Sequence, residues 1–567
     1  MSAFSTKSLN NLDKYTPTIN IWIVVVGAIA LLMTAPIAVI LSSFWGHAGT
    51  VWQHLVTTVL PGYIINSLIL SLGVGLGVLI IGTLNAWLVT MCRFPGGRTF
   101  EWALLLPLAA PAYLLAYVYT ELLEYYGWVQ RSLRGLFGWQ SIQDYWFPDI
   151  RSLWGAIAML ILVLYPYVYL LARVAFLEQA ACTLEASRSL GCNPWQSFGK
   201  VALPLARPAI MAGVSLALME TLSDFGTVEF FGIPTFTVGI YRWFQQGGEY
   251  QVGSYQMAAC LLIFVFALIV LERRSRRQAQ YYQTTSQHQA IAPYVLSGWR
   301  GILASLSCFI PILLGFLIPI GVLLQMSMVS GNQTWGSAFW ELANHSFILA
   351  SITAFLAVIL ALIMAYGRRL TPTGTMSLMT RTAAMGYAIP GTVVAVAVLP
   401  TAGQLDRWLN GATQTLLGIS PGLLLSGTIT VLIFAYLVRF LTVSFNAIES
   451  SLEKIKPHLD DAARSLGHSP RKTLIKVHAP LMSGGLLTAI MLVFVDVMKE
   501  LPATYAIRPF NFDTLAVQVY RYASDERLIE ASAPALAIIL VGLVPTIFLS
   551  WRIAKSRSRK SSTRSPL

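Results

Sequence analysis

A chain of 567 residues in which 56% of side chains are hydrophobic and only 11% charged, with a mean hydropathy of +0.65, is not a water-soluble globular protein, whose charged fraction is about 25%. The net charge of +13 does not point to nucleic acid, because the basic residues cluster beside apolar stretches, where membrane topology accounts for them. The five cysteines (Cys92, Cys182, Cys192, Cys260 and Cys308) are odd in number and lie in or beside apolar stretches or in basic loops, so no disulfide framework is implied.

The chain opens with a polar tail, residues 1–20, followed by an apolar run without a small-residue cleavage site, which reads as an uncleaved first transmembrane helix. About 20 apolar residues cross the roughly 30 Å hydrocarbon layer. Runs of that kind fall at 21–43, 63–92, 102–120, 152–172, 208–228 and 252–271, and again at 301–325, 346–367, 382–403, 421–438, 480–504 and 531–551. That predicts twelve spans, all helical, because lipid leaves no partner for an open backbone. Residues 272–300, polar and basic, separate two sets of six, and 552–567 form a basic tail suited to a lipid surface.

Lys and Arg set the orientation. Loops 44–62 and 326–345 carry none, whereas Arg93, Arg98, Arg368, Arg369, Arg381, the linker and the C-terminal tail are basic, which puts both termini and the linker in the cytoplasm. The two sets are related in sequence. Ser67 matches Ser346 and Pro111 matches Pro390 at a spacing of 279, and Gly191 matches Gly467, Pro204 matches Pro480 and Glu220 matches Asp496 at 276. Six is even, so both halves enter and leave on one side. The expectation is an all-α polytopic protein made of two parallel six-helix repeats, residues 21–271 and 301–551, about a pseudo-two-fold axis along the membrane normal.

The clearest repeat is polar and cytoplasmic: LEASRSLGCNPWQSFGKVALP at 184–204 and DDAARSLGHSPRKTLIKVHAP at 460–480. Each reads as a short helix ending at a glycine C-cap, a turn before or at a proline, and a second amphipathic helix. Two such knobs suit a symmetric pair of partners, and Arg471, Lys472 and Lys476 are available for grip in the second.

Two spans carry charge. Glu220 and Asp224 are four residues apart, as are Asp496 and Glu500, so each pair shares a helical face. An ionisable group at mid-membrane costs about 2.5–3.5 kcal/mol on insertion scales. The carboxylates are therefore candidates to line a polar pathway of the kind hard cations prefer. The competing reading is structural bracing, with Lys499 neutralising Asp496 or Glu500. On the outer side, the aromatic loop 123–150 suits a cap over the mouth, a contact with a partner protein or an interface belt. Arg242 and Arg521, each after a tyrosine, suit either docking to an acidic partner or helix anchoring. The histidines show no metal-ligand spacing, so no metal site is expected.

Glu185-Ala186-Ser187, Gly191, Val201 and Leu203-Pro204 resemble the EAA loop of binding-protein-dependent ABC importer permeases, and Asp461-Ala462-Ala463, Gly467, Val477 and Ala479-Pro480 form a second copy with Asp for Glu and Ala for Leu. The resemblance spans nearly the whole chain and implies a type I importer permease fold in the bacterial inner membrane. It implies that Glu185, Ala186, Gly191, Asp461, Ala462 and Gly467 dock two separate ATPase subunits, with one periplasmic binding protein above. No G-x-x-x-x-G-K-S/T loop occurs, so this chain is not itself the ATPase, and no cofactor is expected beyond ATP held by the partners. METLSDFGTVEFFG and FVDVMKELPATYAIRPFNFDTL resemble the fused ferric-iron branch; thiamine and polyamine permeases are the alternatives within the family. A proton-coupled secondary carrier is the rival of a different class. No nucleophile–base or metal constellation supports an enzyme.

Overall fold

The computed structural model describes residues 21–45, 49–178, 187, 189–191, 193–277, 294–330, 335–420 and 422–562. Among these the architecture is all-α apart from one parallel pair of two-residue strands, Cys92–Arg93 with Tyr294–Val295. In the first half the principal helices are α1 (Ile21–Ser42), α2 (Leu60–Met91), α3 (Ala112–Leu123), α4 (Leu153–Glu178), α5 (Leu203–Ser223), α6 (Phe236–Gln246) and α7 (Glu249–Arg277). In the second they are α8 (Trp299–Ile312, continuing to Ser330), α9 (Ser337–Leu370), α10 (Gly391–Leu417), α11 (Ile429–Glu453), α12 (His458–Ser465), α13 (Ser483–Met498), α14 (Leu515–Ser524) and α15 (Leu528–Ser562).

Nine of the described helices are long and apolar enough to cross a membrane, and twelve spans result when three bent helix pairs count as one span each. Two bends correct the straight spans expected at 102–120 and 382–403. The chain turns by 90° between Gly97–Ala109 and Ala112–Phe137, and by 116° between Gly374–Ala388 and Gly391–Leu416. The cause is local. Pro111 and Pro390 take extended backbone (ψ 147° and 140°), and proline both lacks an N–H and pushes the residue before it out of helical geometry. The spans expected at 208–228 and 480–504 also end earlier: α5 stops at Ser223 and α13 at Met498, and each is followed by a short separate helix, Gly226–Phe230 or Pro502–Ile507. The span expected at 421–438 starts late, at Ile429, because Asp406 on α10 accepts the N–H groups of Leu424, Leu425 and Ser426 at 3.1, 2.8 and 2.7 Å and holds that segment in a turn.

Each half is built on the same three-helix unit. In the first, α4 packs against both α2 and α5; in the second, α9, α11 and α13 pack mutually. Glycine permits the approach. A Cβ on Gly82 of α2 would come within 2.7 Å of Val168 Cβ, and one on Gly213 of α5 within 2.7 Å of Val168 Cα, so both flanking helices close on the same turn of α4. The local geometry recurs at the sequence spacing. Ser67 Oγ accepts from Phe236 N at 3.4 Å, and Ser346 Oγ from Leu515 N at 2.8 Å. Asn66 Nδ2 donates to Pro234 O at 3.0 Å, and His345 Nδ1 lies 3.2 Å from Asp513 O.

The first helices cross over. α1 packs on Gly374–Ala383 and α10 of the second half, while Ile318–Ser330 packs on α3 as well as α15. The strand pair reinforces this exchange: Leu296 N donates to Arg93 O at 3.0 Å and Ser305 Oγ to Pro95 O at 2.8 Å. The halves therefore meet along an interleaved interface at whose centre lies the charged cavity.

Candidate functional site

The four intramembrane carboxylates converge. Glu220, Asp224, Asp496 and Glu500 all line one cavity of about 120 Å³ between the halves, together with Tyr113, Tyr167, Tyr387, Arg439 and Lys499. The lining is not uniformly negative, since two cations stand among the four acids. Lys499 Nζ lies 2.9 Å from Asp496 Oδ1, and Arg439 Nη1 donates to Glu500 Oε1 at 2.9 Å.

The acids divide into two kinds. Glu500 is buried and saturated. Beyond Arg439, its Oε1 accepts from Ala503 N at 2.9 Å, and its Oε2 accepts from Thr504 N at 2.9 Å and Thr504 Oγ1 at 2.6 Å. Asp224 is arranged likewise, with Oδ1 accepting from Thr227 Oγ1 at 3.0 Å and Oδ2 from Val228 N at 3.1 Å. Both thus satisfy the exposed N–H groups that open the short helices Gly226–Phe230 and Pro502–Ile507, the position where a carboxylate is favoured by hydrogen bonding and by the helix dipole. Glu220 and Asp496 cap nothing. Glu220 Oε1 accepts from Tyr387 OH at 2.7 Å, a bond from one half of the chain to the other.

Four aromatic rings from both halves cluster at Phe225, which lines the cavity. Phe225 lies 5.0 Å from Tyr241, 6.3 Å from Tyr505 and 6.1 Å from Tyr520, and Tyr505 lies 4.9 Å from Tyr520, centroid to centroid. Tyr241 and Tyr520, singled out in the sequence for the arginines beside them, are packed here. Their neighbours point elsewhere: Arg242 pairs with Glu229 at 3.2 Å and Arg521 with Asp513 at 2.6 Å, both arginine side chains 49% exposed. Tyr387, Arg439 and Tyr505 escaped the sequence reading. Arg439 did carry a signal, as a lone cation in an apolar helix that ought to have a buried partner.

On the opposite side lie the two polar repeats. Glu185 and Ala186 fall outside the described residues. Gly191 and Gly467 both adopt left-handed backbone, φ 81° and 74°, which glycine enters without the Cβ penalty. In the second knob α12 ends by Gly467 N donating to Arg464 O at 2.9 Å and His468 N to Ala463 O at 3.0 Å, and Ser469 starts the next helix by accepting from Lys472 N. In the first, Asn193 and Gln196 cap reciprocally at 2.8 and 3.1 Å. Both continue into a wide π turn, Phe198–Ala202 and Leu474–His478. Asp461 and Ala462 are exposed, and so are two large apolar side chains at matched positions, Leu190 at 83% and Leu466 at 77%.

The aromatic loop at 123–150 packs on itself. The helix Trp128–Phe137 is followed by Trp139 stacked on Tyr145 at 4.8 Å. Asp144 accepts the N–H groups of Gln140 and Ser141, each at 2.8 Å, which holds its carboxyl below the usual range. Trp128 and Trp146 stay exposed. Among the described residues no group of three or more His, Cys, Asp or Glu side chains is arranged to hold a metal ion.

Comparison with known proteins agrees with this architecture. Residues 14–279 match the family of binding-protein-dependent transport system inner membrane components. The Fe(3+)-transport system permease protein FbpB 2 of Haemophilus influenzae is 24% identical over 491 residues, 85% of this chain and 88% of its own. The ferric transport system permease protein FbpB of Actinobacillus pleuropneumoniae is 23% identical over 574 residues, 93% of this chain and 77% of its own. The sulfate transport system permease protein CysT of Escherichia coli is 31% identical over 153 residues, 27% of this chain and 51% of its own. The match over residues 14–279, the similarity to ferric transport permeases along 85% and 93% of the chain, and the many apolar helices mark a multi-pass membrane protein similar to the inner-membrane components of binding-protein-dependent transport systems.

Proposed function

We propose that this permease imports ferric iron delivered by a periplasmic binding protein and is driven by two ATPase subunits seated on its two knobs. The observation that carries the reading is the pair of left-handed glycine turns at Gly191 and Gly467, each preceded by an exposed leucine. A solvent-facing leucine at the tip of a rigid turn, present twice, is what a pair of apolar grooves would receive. With two parallel repeats in one chain, a single copy supplies both docking sites, and both termini face the cytoplasm with them. Glu185, Ala186, Asp461 and Ala462 belong to those contacts.

ATP binding draws the two motors together; the knobs follow, and the halves rock apart on the outer side to accept cargo. In the closed arrangement the Tyr241–Phe225–Tyr505–Tyr520 cluster seals that side, and the Tyr387–Glu220 bond ties the halves beneath it. Glu220 and Asp496 serve the pathway, whereas Asp224 and Glu500 set its walls. Arg242 and Arg521, half exposed at the outer end, serve binding-protein docking. The similarity to ferric permeases along most of the chain supports the cargo.

The test is uptake of radiolabelled ferric ion, loaded on the partner binding protein, into vesicles holding this permease with its ATPase. Uptake that stops on ATP depletion with the proton gradient intact supports the reading. Uptake that continues identifies a proton-coupled carrier instead. A partner binding protein that carries thiamine, a polyamine or sulfate and no iron would reassign the cargo.

A further inference from the structure

Among the described residues, the two knobs meet the membrane domain through different chemistry. In the second half the attachment is a buried ionic hub centred on Asp460, the residue just before the exposed Asp461. Asp460 Oδ2 accepts from Arg369 Nε at 2.9 Å and Nη2 at 2.6 Å, and Asp460 Oδ1 lies 2.8 Å from His478 Nε2. The Arg369 and Asp460 side chains are only 17% and 15% exposed, and His478 is fully buried. Arg369 also donates to Leu452 O at 2.7 Å and Ile455 O at 2.9 Å, at the carbonyls where α11 ends. One turn earlier on α9, Tyr366 OH donates to Pro470 O at 2.7 Å. Two residues at the cytoplasmic end of α9 thus hold both helices of the knob.

α9 is 34 residues long, about 50 Å at 1.5 Å per residue. Towards its other end, Ser346 and His345 grip the start of α14, the helix that carries Tyr520 of the aromatic seal. One continuous helix therefore joins the knob to the outer closure.

The first half has different residue types at the matched positions. At the repeat spacings Thr90 stands for Arg369, Leu184 for Asp460, Ala202 for His478 and Trp87 for Tyr366. There, buried Trp87 at the end of α2 packs on Phe198 at 5.0 Å and on Phe176 at 5.6 Å. Thr90 Oγ1 bonds within its own helix, to Ala86 O at 2.6 Å.

We propose that Arg369 and Asp460 are positioning residues that couple the second knob to α9, so that the two halves transmit motor movement unequally: the second through a directional ion pair, the first through aromatic packing. Two guanidinium N–H groups converging on one carboxylate oxygen, with the other oxygen beside His478, fix orientation as well as distance, whereas the edge-on and tilted ring contacts of Trp87 carry no charge-assisted bond. This rests on the knobs being the ATPase docking sites.

The test is ferric uptake per ATP hydrolysed by the intact permease–ATPase complex in vesicles, with iron supplied on the binding protein. Arg369→Gln and Asp460→Asn should each lower that ratio tenfold or more, while the complex still co-purifies and hydrolyses ATP. The double variant should fall no further than either single one, since both remove one link. Thr90→Ala should stay within twofold of the unaltered chain. Asp460→Asn is close to isosteric, so it carries the test alone if Arg369→Gln does not accumulate. An unchanged ratio in Asp460→Asn, or losses that multiply in the double variant, would overturn the proposal. Wild-type vesicles that take up no iron with ATP present would instead count against the assigned function.

Discussion

Among single residues, burial decides which charges the fold depends on. Glu500 is 1% exposed in its side chain and holds Arg439; removing one member of such a pair strands the other, at a typical cost of 3–5 kcal/mol. Glu500→Ala should therefore lower the thermal midpoint of the purified protein sharply and reduce its accumulation in the membrane. Arg242 and Arg521 are half exposed, and pairs of that kind contribute about 0–1 kcal/mol. Alanine at either should leave the melting temperature within a few degrees while weakening association with the binding protein, measured as a rise in the concentration that half-stimulates ATP hydrolysis. Glu220 is the case between them. Glu220→Gln keeps an acceptor for Tyr387 OH but removes the charge, so reduced uptake with unchanged stability is expected if the charge serves the pathway; unchanged uptake kinetics would leave Glu220 a brace.

For the helices, the contacts that matter are those where backbones meet. Val168 on α4 receives glycines from both sides, Gly82 and Gly213. A branched side chain there has backbone on the far side and no rotamer into which to escape. Overpacking costs typically 1–3 kcal/mol, so Gly213→Val should broaden or lower the melting transition and cut the yield of folded protein in detergent. A glycine facing open space provides the control. Gly411, towards the C-terminal end of α10, has nothing within 4 Å of the position its Cβ would take, and Gly411→Ala should be neutral or slightly stabilising through helix propensity. The broken spans follow the same logic, since Pro111 and Pro390 end one helix and open the next at a bend that delivers Tyr113 and Tyr387 to the cavity.

At the scale of the whole molecule, the cavity, the aromatic seal and the two knobs are joined by long helices, and movement at one end has to appear at the other. Leu190→Asp and Leu466→Asp place a charge where an apolar groove is expected. Each should reduce co-purification of the ATPase tenfold or more, since a buried interface anchor contributes at least about 1–2 kcal/mol, and both together should abolish it. Retention of the ATPase by the double variant would move the docking surface elsewhere. Cutting the Tyr387–Glu220 tie with Tyr387→Phe removes a hydrogen bond that contributes about 0.5–1.5 kcal/mol. The closed state should lose ground by a factor of two to ten, visible as raised ATP hydrolysis without binding protein.

The sequence by itself determined the membrane class, most of the apolar runs, the recurring motifs and the glycine turns. Each of these is written in local composition or in a spacing between like residues, and lipid allows a long apolar run few structures other than a helix. It also identified Glu220, Asp224, Asp496 and Glu500 as out of place. It did not distinguish them, because the distinction is three-dimensional: Asp224 and Glu500 face the open N–H groups of the short helices behind them, while Glu220 meets a tyrosine 167 positions away. The bends at Pro111 and Pro390 were present as prolines but not as angles, since a proline in a membrane helix kinks or breaks it according to what packs around it. The exchange of first helices and the ionic hub at Asp460 were decided by tertiary structure alone. Arg369, Asp460 and His478 are separated by 91 and 18 positions in sequence, and only the packing of α9 against the knob brings these side chains within reach of one another.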